Sequence, residues 1–124
     1  VVKVIVCGGR SFYDEQWLKN ELCDLVWQRG RFKDVPQQIT VLIHGGARGV
    51  DTMAANFAIG CGLKLEEFKA DWERHGKAAG PLRNQEMLDA GPDLVVAFPG
   101  GRGTADMVRR AKSVNVPVIE LLPH

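Results

Sequence analysis

No apolar run in this chain approaches the roughly 18 residues that a membrane-spanning helix needs, and the opening VVKVIVCGG is too short for a secretory signal. Cysteine is scarce. Cys7, Cys23 and Cys61 are odd in number and show no CxxC spacing, which argues against a disulfide framework and for small buried apolar residues in a reducing compartment. Charge of one sign is missing too: 16 Lys and Arg face 15 Asp and Glu, a net charge of +1, so no overall field draws the chain to nucleic acid or membrane. His44 and His75 have no second ligand at metal spacing, and no Ser/His/Asp set stands out. Neither a metal nor a cofactor is expected. These absences describe a cytoplasmic protein, and 124 residues make one domain, 1–124, with room for a real core.

What is present is alternation. VKVIV (Val2–Val6), ITVLIH (Ile39–His44), LKLEEF (Leu63–Phe68), DLVVAF (Asp93–Phe98) and VPVIEL (Val116–Leu121) read as five strands. Between them lie helix-period runs. Leu18, Leu22, Leu25 and Val26 recur behind Asp14, a candidate N-cap; Val50, Met53, Ala54, Phe57, Ala58 and Cys61 recur ahead of Gly62, a C-terminal stop. LRNQEMLDA is helical up to Gly91-Pro92, and another helix follows Gly103. Arg29–Gln38 and Lys69–Pro81 read as loops. Strands this apolar are buried on both faces, which requires helices on both sides of a parallel sheet. The expected fold is α/β: a single doubly wound, Rossmann-like domain with a five-stranded, mainly parallel sheet in the order 3-2-1-4-5.

In such a sheet the C-terminal ends of the strands share one edge, where ligands bind at the point of strand-order reversal. Three loops on that edge are glycine-rich and each carries an arginine: CGGRSF with Gly9 and Arg10, HGGARGVD with Gly45, Gly46, Arg48, Gly49 and Asp51, and FPGGRGT with Gly100, Gly101, Arg102, Gly103 and Thr104. Glycine makes tight strand-to-helix turns in many proteins, so one such loop says little. Three on one edge point to backbone N–H groups closing around an anion, with arginines as bidentate partners. GGRGT lacks the Lys-Ser/Thr ending of a P-loop, and GGRSF is not GxGxxG, so neither triphosphate hydrolysis nor ordinary dinucleotide redox binding fits. A phosphate-bearing small molecule is the favoured partner.

Other residues carry two readings each. Asp51 is a first-turn helix acid or a hold on a ribose hydroxyl or on Arg48. Arg83 and Asn84 open a helix as solvated residues or reach a phosphate or base across the cleft. Asp71 and Trp72 follow strand three on the same edge, and Trp72 either packs or stacks on a base. Arg109, Arg110 and Lys112 read as an exposed helix end that suits the dipole.

PGGRGTADM resembles the PGGxGTxxE signature of the Lonely Guy (LOG) cytokinin-activating phosphoribohydrolases, and GGARGVD resembles the SGGARGxD loop of the DprA/Smf DNA-processing proteins. With GGR after strand one and ADWERHGKAAGPLRNQEM between them, the ordered set is similar to the YspA-like, cpYpsA-related branch of the SLOG superfamily, over about Val2 to Leu121. The resemblance implies a Rossmann-like fold binding a nucleotide or nucleotide-derived ligand. It places the phosphate loop on Gly100, Gly101, Gly103 and Thr104, and the catalytic arginine on Arg83. The glutamate of the LOG motif falls on Met107; Asp106, one residue earlier, is the nearest acid, and with Asp71 it is the candidate catalytic carboxylate. The resemblance also implies a homo-oligomer, a dimer, with Val50, Phe57 and Met107 as candidate interface residues. Nucleotide sensing, LOG-like cleavage of an N-glycosidic bond and DprA-like nucleic-acid binding are the three functions it leaves open. The small net charge and the lack of a clustered aromatic platform weigh against the last.

Overall fold

The computed structural model describes residues 2–35 and 38–122. Five strands form one sheet in the order β3-β2-β1-β4-β5, where β1 is Val2–Cys7, β2 Ile39–His44, β3 Lys64–Glu67, β4 Leu94–Ala97 and β5 Val118–Glu120. Every pairing is parallel, so the sheet is parallel throughout rather than mainly so. The strand order reverses between β1 and β4, as the sequence pattern requires.

Side chains of a strand alternate between faces, and here each face has its own core. Val4, Val6, Leu42, Leu94 and Val96 pack against Leu18, Leu22 and Leu25 of α1 (Glu15–Val26) and Ala54 and Phe57 of α2 (Val50–Cys61). Ile5, Cys7, Val41, Ile43, Val95 and Ala97 face the other way, onto Met87 and Leu88 of α4 (Ala79–Asp89) and Met107, Val108 and Ala111 of α5 (Arg102–Ser113). Helices therefore cover both faces, and the three central strands are the most buried. Asp14 caps α1 by accepting from the Trp17 backbone N–H at 3.0 Å, and Gly62 ends α2 in the left-handed conformation.

Four local expectations change. The segment 69–81 is not a plain loop: α3 (Trp72–His75) and a 3-10 turn (Gly76–Ala78) run directly into α4, which starts at Ala79 rather than near Leu82. Polarity hid this, because α3 has no buried residue to leave a hydrophobic period. The stretch read as a loop after α1 contains a 3-10 turn (Gly30–Phe32) whose Phe32 is fully buried; Pro36 and Gln37 of that stretch lie outside the described residues. Cys61 is exposed, not buried, because it sits at the solvent end of α2. Val50, Phe57 and Met107 belong to the two cores, so none of them is free to form a subunit interface. Among the described residues no helix is long and apolar enough to cross a membrane, and no group of three His, Cys, Asp or Glu is arranged to hold a metal ion.

Candidate functional site

The three glycine-rich loops meet backbone to backbone. Gly9 lies in the middle: its N–H donates to the Pro99 carbonyl at 2.9 Å, and its own carbonyl accepts from the Val50 N–H at 3.3 Å. Gly49, at φ +74°, is pressed against the carbonyl oxygens of Gly9 and Arg10, and a β-carbon there would overlap both. Gly100 is pressed in the same way against the Thr104 hydroxyl and the Gly9 N–H. These glycines serve close packing between loops.

Gly101 and Gly103 differ. A β-carbon at either would meet nothing within 4 Å, and neither needs a positive φ. They border a cavity of about 440 Å³ at the β1/β4 reversal. Gly101 is the N-cap of α5, it supplies no side-chain cap, and the first turn holds no acid. The first intrahelical bond runs from the Ala105 N–H to the Gly101 carbonyl, so the amides of Arg102, Gly103 and Thr104 precede the helical ladder. An uncapped terminus of a twelve-residue helix carries about half a positive charge.

The facing wall is cationic. Arg83, on the first turns of α4, donates from Nη1 to the Gly45 carbonyl at 2.6 Å and from Nε to Asn84 Oδ1 at 3.1 Å. Its guanidinium lies over Gly45, where a β-carbon would collide with it. Burial holds the Arg83 pKa below its ordinary value; the negative Asp51 opposes that shift and the nearby Arg10 adds to it. Arg10 also lies over the Trp72 ring, 5.4 Å from its centroid. Two guanidinium groups that repel each other thus border the same cavity as the uncapped first turn of α5.

Asp51 borders the same cavity and is 6% exposed. Its Oδ2 accepts from the Ala47 N–H at 3.2 Å, which closes the GGARGVD loop onto α2. Burial raises its pKa despite that bond and the charge of Arg83. Its charge partner is thus Arg83, not the Arg48 that its place in the sequence suggests. His44 beneath it accepts from the Gly46 N–H through Nδ1 at 3.1 Å, and burial lowers its pKa, so it is a neutral acceptor. Cys7 forms part of the floor, with its thiol pushed up to about 12 by burial and by Asp51.

The expected site residues divide accordingly. Gly9, Arg10, Gly45, Asp51, Arg83, Asn84, Gly101, Gly103 and Thr104 all border the cavity, joined by Arg102 and Trp72. Gly46 and Arg48 border a shallower cleft of about 290 Å³ beside it, with Lys69. Asn84 is buried and donates to the Gly103 carbonyl at 3.1 Å and to Asp106 Oδ2 at 3.0 Å, so it positions α5 rather than reaching across the cleft. Asp106 does not border the cavity: it is 9% exposed and bonded to Arg109 and to Arg110, the latter at 2.8 Å. Arg109 and Arg110 are therefore its partners and not simply a solvated helix end. Asp71 caps α3 through Oδ1, accepting from the Arg74 N–H at 3.1 Å, and does not border the cavity. Among the described residues, Asp51 is the one carboxylate that borders the cavity. The sequence does not foreshadow a second cavity, lined by Phe12, Tyr13 and Trp17, because Phe12 and Tyr13 fall in an irregular turn with no period and Trp17 opens α1 outside its apolar stripe.

Residues 2–75 match the family described as "YspA, cpYpsA-related SLOG family". The chain belongs to the YspA, cpYpsA-related SLOG family. It is 39% identical over 126 residues to the Gene 61 protein of Mycobacterium phage D29, covering 94% of each chain. The DNA processing protein A (DprA) of Streptococcus pneumoniae shares its fold, with a TM-score of 0.51 at 16% identity; the match covers 95% of this chain and 58% of that one. In this SLOG chain Met107, the ninth residue of PGGRGTADM, is fully buried under the sheet.

Proposed function

We propose that the protein binds a nucleotide or nucleotide-derived ligand, with a phosphate seated on the first-turn amides of α5 and faced by Arg10 and Arg83. One observation carries this reading: uncapped amides at two unobstructed glycines open onto the same 440 Å³ cavity as a partly buried arginine that lies near a second one. The Thr104 hydroxyl adds a donor beside that seat, and Asp51 accepts from a sugar hydroxyl. The arrangement favours binding over N-glycosidic hydrolysis, since Met107 replaces the expected glutamate, Asp106 is paired with arginines, and Asp71 caps a helix.

Equilibrium dialysis against mononucleotides, cyclic nucleotides, NAD and ADP-ribose, read by mass spectrometry, tests it. Retention of a compound unchanged identifies a sensor or carrier. Release of free base with ribose 5-phosphate would instead make the protein a phosphoribohydrolase. Gly101→Val should remove retention while leaving the protein folded, because the site of the new side chain is empty. Retention by the folded variant would overturn the phosphate assignment.

A nucleic-acid reading draws on one feature. Arg10, Arg48, Lys69 and Arg102 are all exposed along the same sheet edge. Single-strand binding through that rim would weaken steeply with salt, and a gel shift at low salt with no complex removes it.

A further inference from the structure

The 440 Å³ cavity suits a sugar phosphate better than a base. Its polar groups include Arg10, Asp51, Arg83, Asn84, Arg102, Thr104 and the α5 amides, and among the described residues the aromatic side chain bordering it is Trp72, with a face already covered by Arg10. An aromatic base placed there would compete with Arg10 for that Trp72 face.

The neighbouring cavity, about 540 Å³, has the opposite character. Phe12 and Trp17 form its wall, with ring centroids 5.9 Å apart, and both pack edge-on against the buried Phe98, at 5.7 and 5.6 Å. This backing fixes the wall as a rigid aromatic surface. Tyr13, 89% exposed, stands at the rim with its ring in solvent. Asp14 also borders the cavity, and a carboxylate offers acceptors only. Its Oδ1 caps α1, which leaves the second oxygen for an N–H donor.

The two cavities share Gly9, Arg10 and Gly101. A phosphate at Gly101 therefore touches both, and a nucleotide seated there has its base within reach of the aromatic side. We infer that the cavity formed by Phe12, Tyr13, Asp14 and Trp17 is the nucleobase subsite of the ligand, stacking a purine on its aromatic wall and accepting a base N–H at Asp14. This inference rests on the phosphate seat proposed above. Pairs of ring faces explain why a Phe-Tyr turn, with Trp17 one helical turn further on, is placed beside a phosphate seat at all.

Isothermal titration calorimetry of the whole chain with AMP, GMP and ribose 5-phosphate tests it, with Tyr13→Ala and Phe12→Leu as variants. Base stacking on aromatic side chains predicts that at least one purine nucleotide binds about tenfold or more tightly than ribose 5-phosphate. Tyr13→Ala, which removes an exposed ring and leaves the core intact, should shrink that preference severalfold without changing ribose 5-phosphate affinity. Phe12→Leu should shrink it further. Equal affinity for the nucleotides and ribose 5-phosphate would overturn the base subsite and leave the phosphate seat standing. A purine preference that survives Tyr13→Ala and Phe12→Leu but vanishes in Trp72→Ala would also overturn it, putting the base in the polar cavity. If none of the three compounds binds, the phosphate seat and the base subsite fall together.

Discussion

Asn84 in the middle of α4 donates to the Asp106 carboxylate of α5 across 3.0 Å, and the same amide nitrogen reaches the Gly103 carbonyl at 3.1 Å. One buried side chain thus holds the first turn of α5 against α4 and fixes where its free amides point. Asn84→Leu keeps the volume and removes both donors. It should lower stability by about 1–3 kcal/mol, the cost of leaving buried acceptors unmatched. Urea unfolding checks this, and an unchanged midpoint would show that the pair does not anchor the helix.

The missing glutamate is a matter of burial as much as of residue type. Met107 is fully enclosed by strand and helix side chains. Met107→Glu should therefore not create a hydrolase; it should destabilise the fold by roughly 3–5 kcal/mol through an unpaired buried charge. A folded variant releasing free base from a nucleotide monophosphate would contradict the geometry described above.

Two glycines should behave in opposite ways when given a methyl group. Gly49→Ala meets the Gly9 and Arg10 carbonyls at φ +74° and should cost about 1–3 kcal/mol or more. Gly101→Ala enters open space at φ −102° and should leave stability within about 0.5 kcal/mol. Thermal unfolding of the two variants beside the wild type reads the difference.

His44 is held neutral by burial, with its pKa below 6.5. The unfolded chain takes up that proton near its ordinary pKa and the folded chain does not. The stabilisation is complete above the unfolded pKa and is lost as pH falls from 6.5 towards the folded pKa. His44→Asn retains an acceptor for the Gly46 N–H and removes the titration. Between pH 7.5 and 5.5 the wild type should lose more stability than the variant; equal losses would mean that folding leaves the His44 pKa unshifted.

The cysteines should separate by reactivity. Cys7 is buried with its thiol pushed up to about 12, whereas Cys61 is exposed. Brief iodoacetamide treatment at pH 8 followed by peptide mass mapping should label Cys61 and spare Cys7. Labelling of Cys7 in the folded protein would show that the cavity floor opens.

Much of this structure is legible in the residues because the strands are apolar on both sides, and the strand order then follows from parallel pairing and short connections. The edge that gathers Gly9, Gly45 and Gly101 follows from the same topology. Less legible is anything that depends on which way a side chain turns within one helical turn. Asp106 and Met107 are adjacent in sequence, yet one meets Arg110 and the other the sheet. Asp51 sits three residues from Arg48 but lies near Arg83, thirty-two positions on, because the β2 loop folds back over α4. Gly49 and Gly101 look alike in the sequence, and only the neighbouring backbone tells the packing glycine from the open one. The start of α4 is hidden because Lys69–Pro81 is polar, interrupted by Gly76 and Gly80, and has no apolar stripe.

The peptide groups of Gly9 bond on one side to Pro99, which leads into the α5 loop, and on the other to Val50, the first residue of α2. α5 and α2 lie on opposite faces of the sheet. The main chain alone therefore ties the Pro99–Thr104 loop on one face to the start of α2 on the other, as a hinge pin joins both leaves.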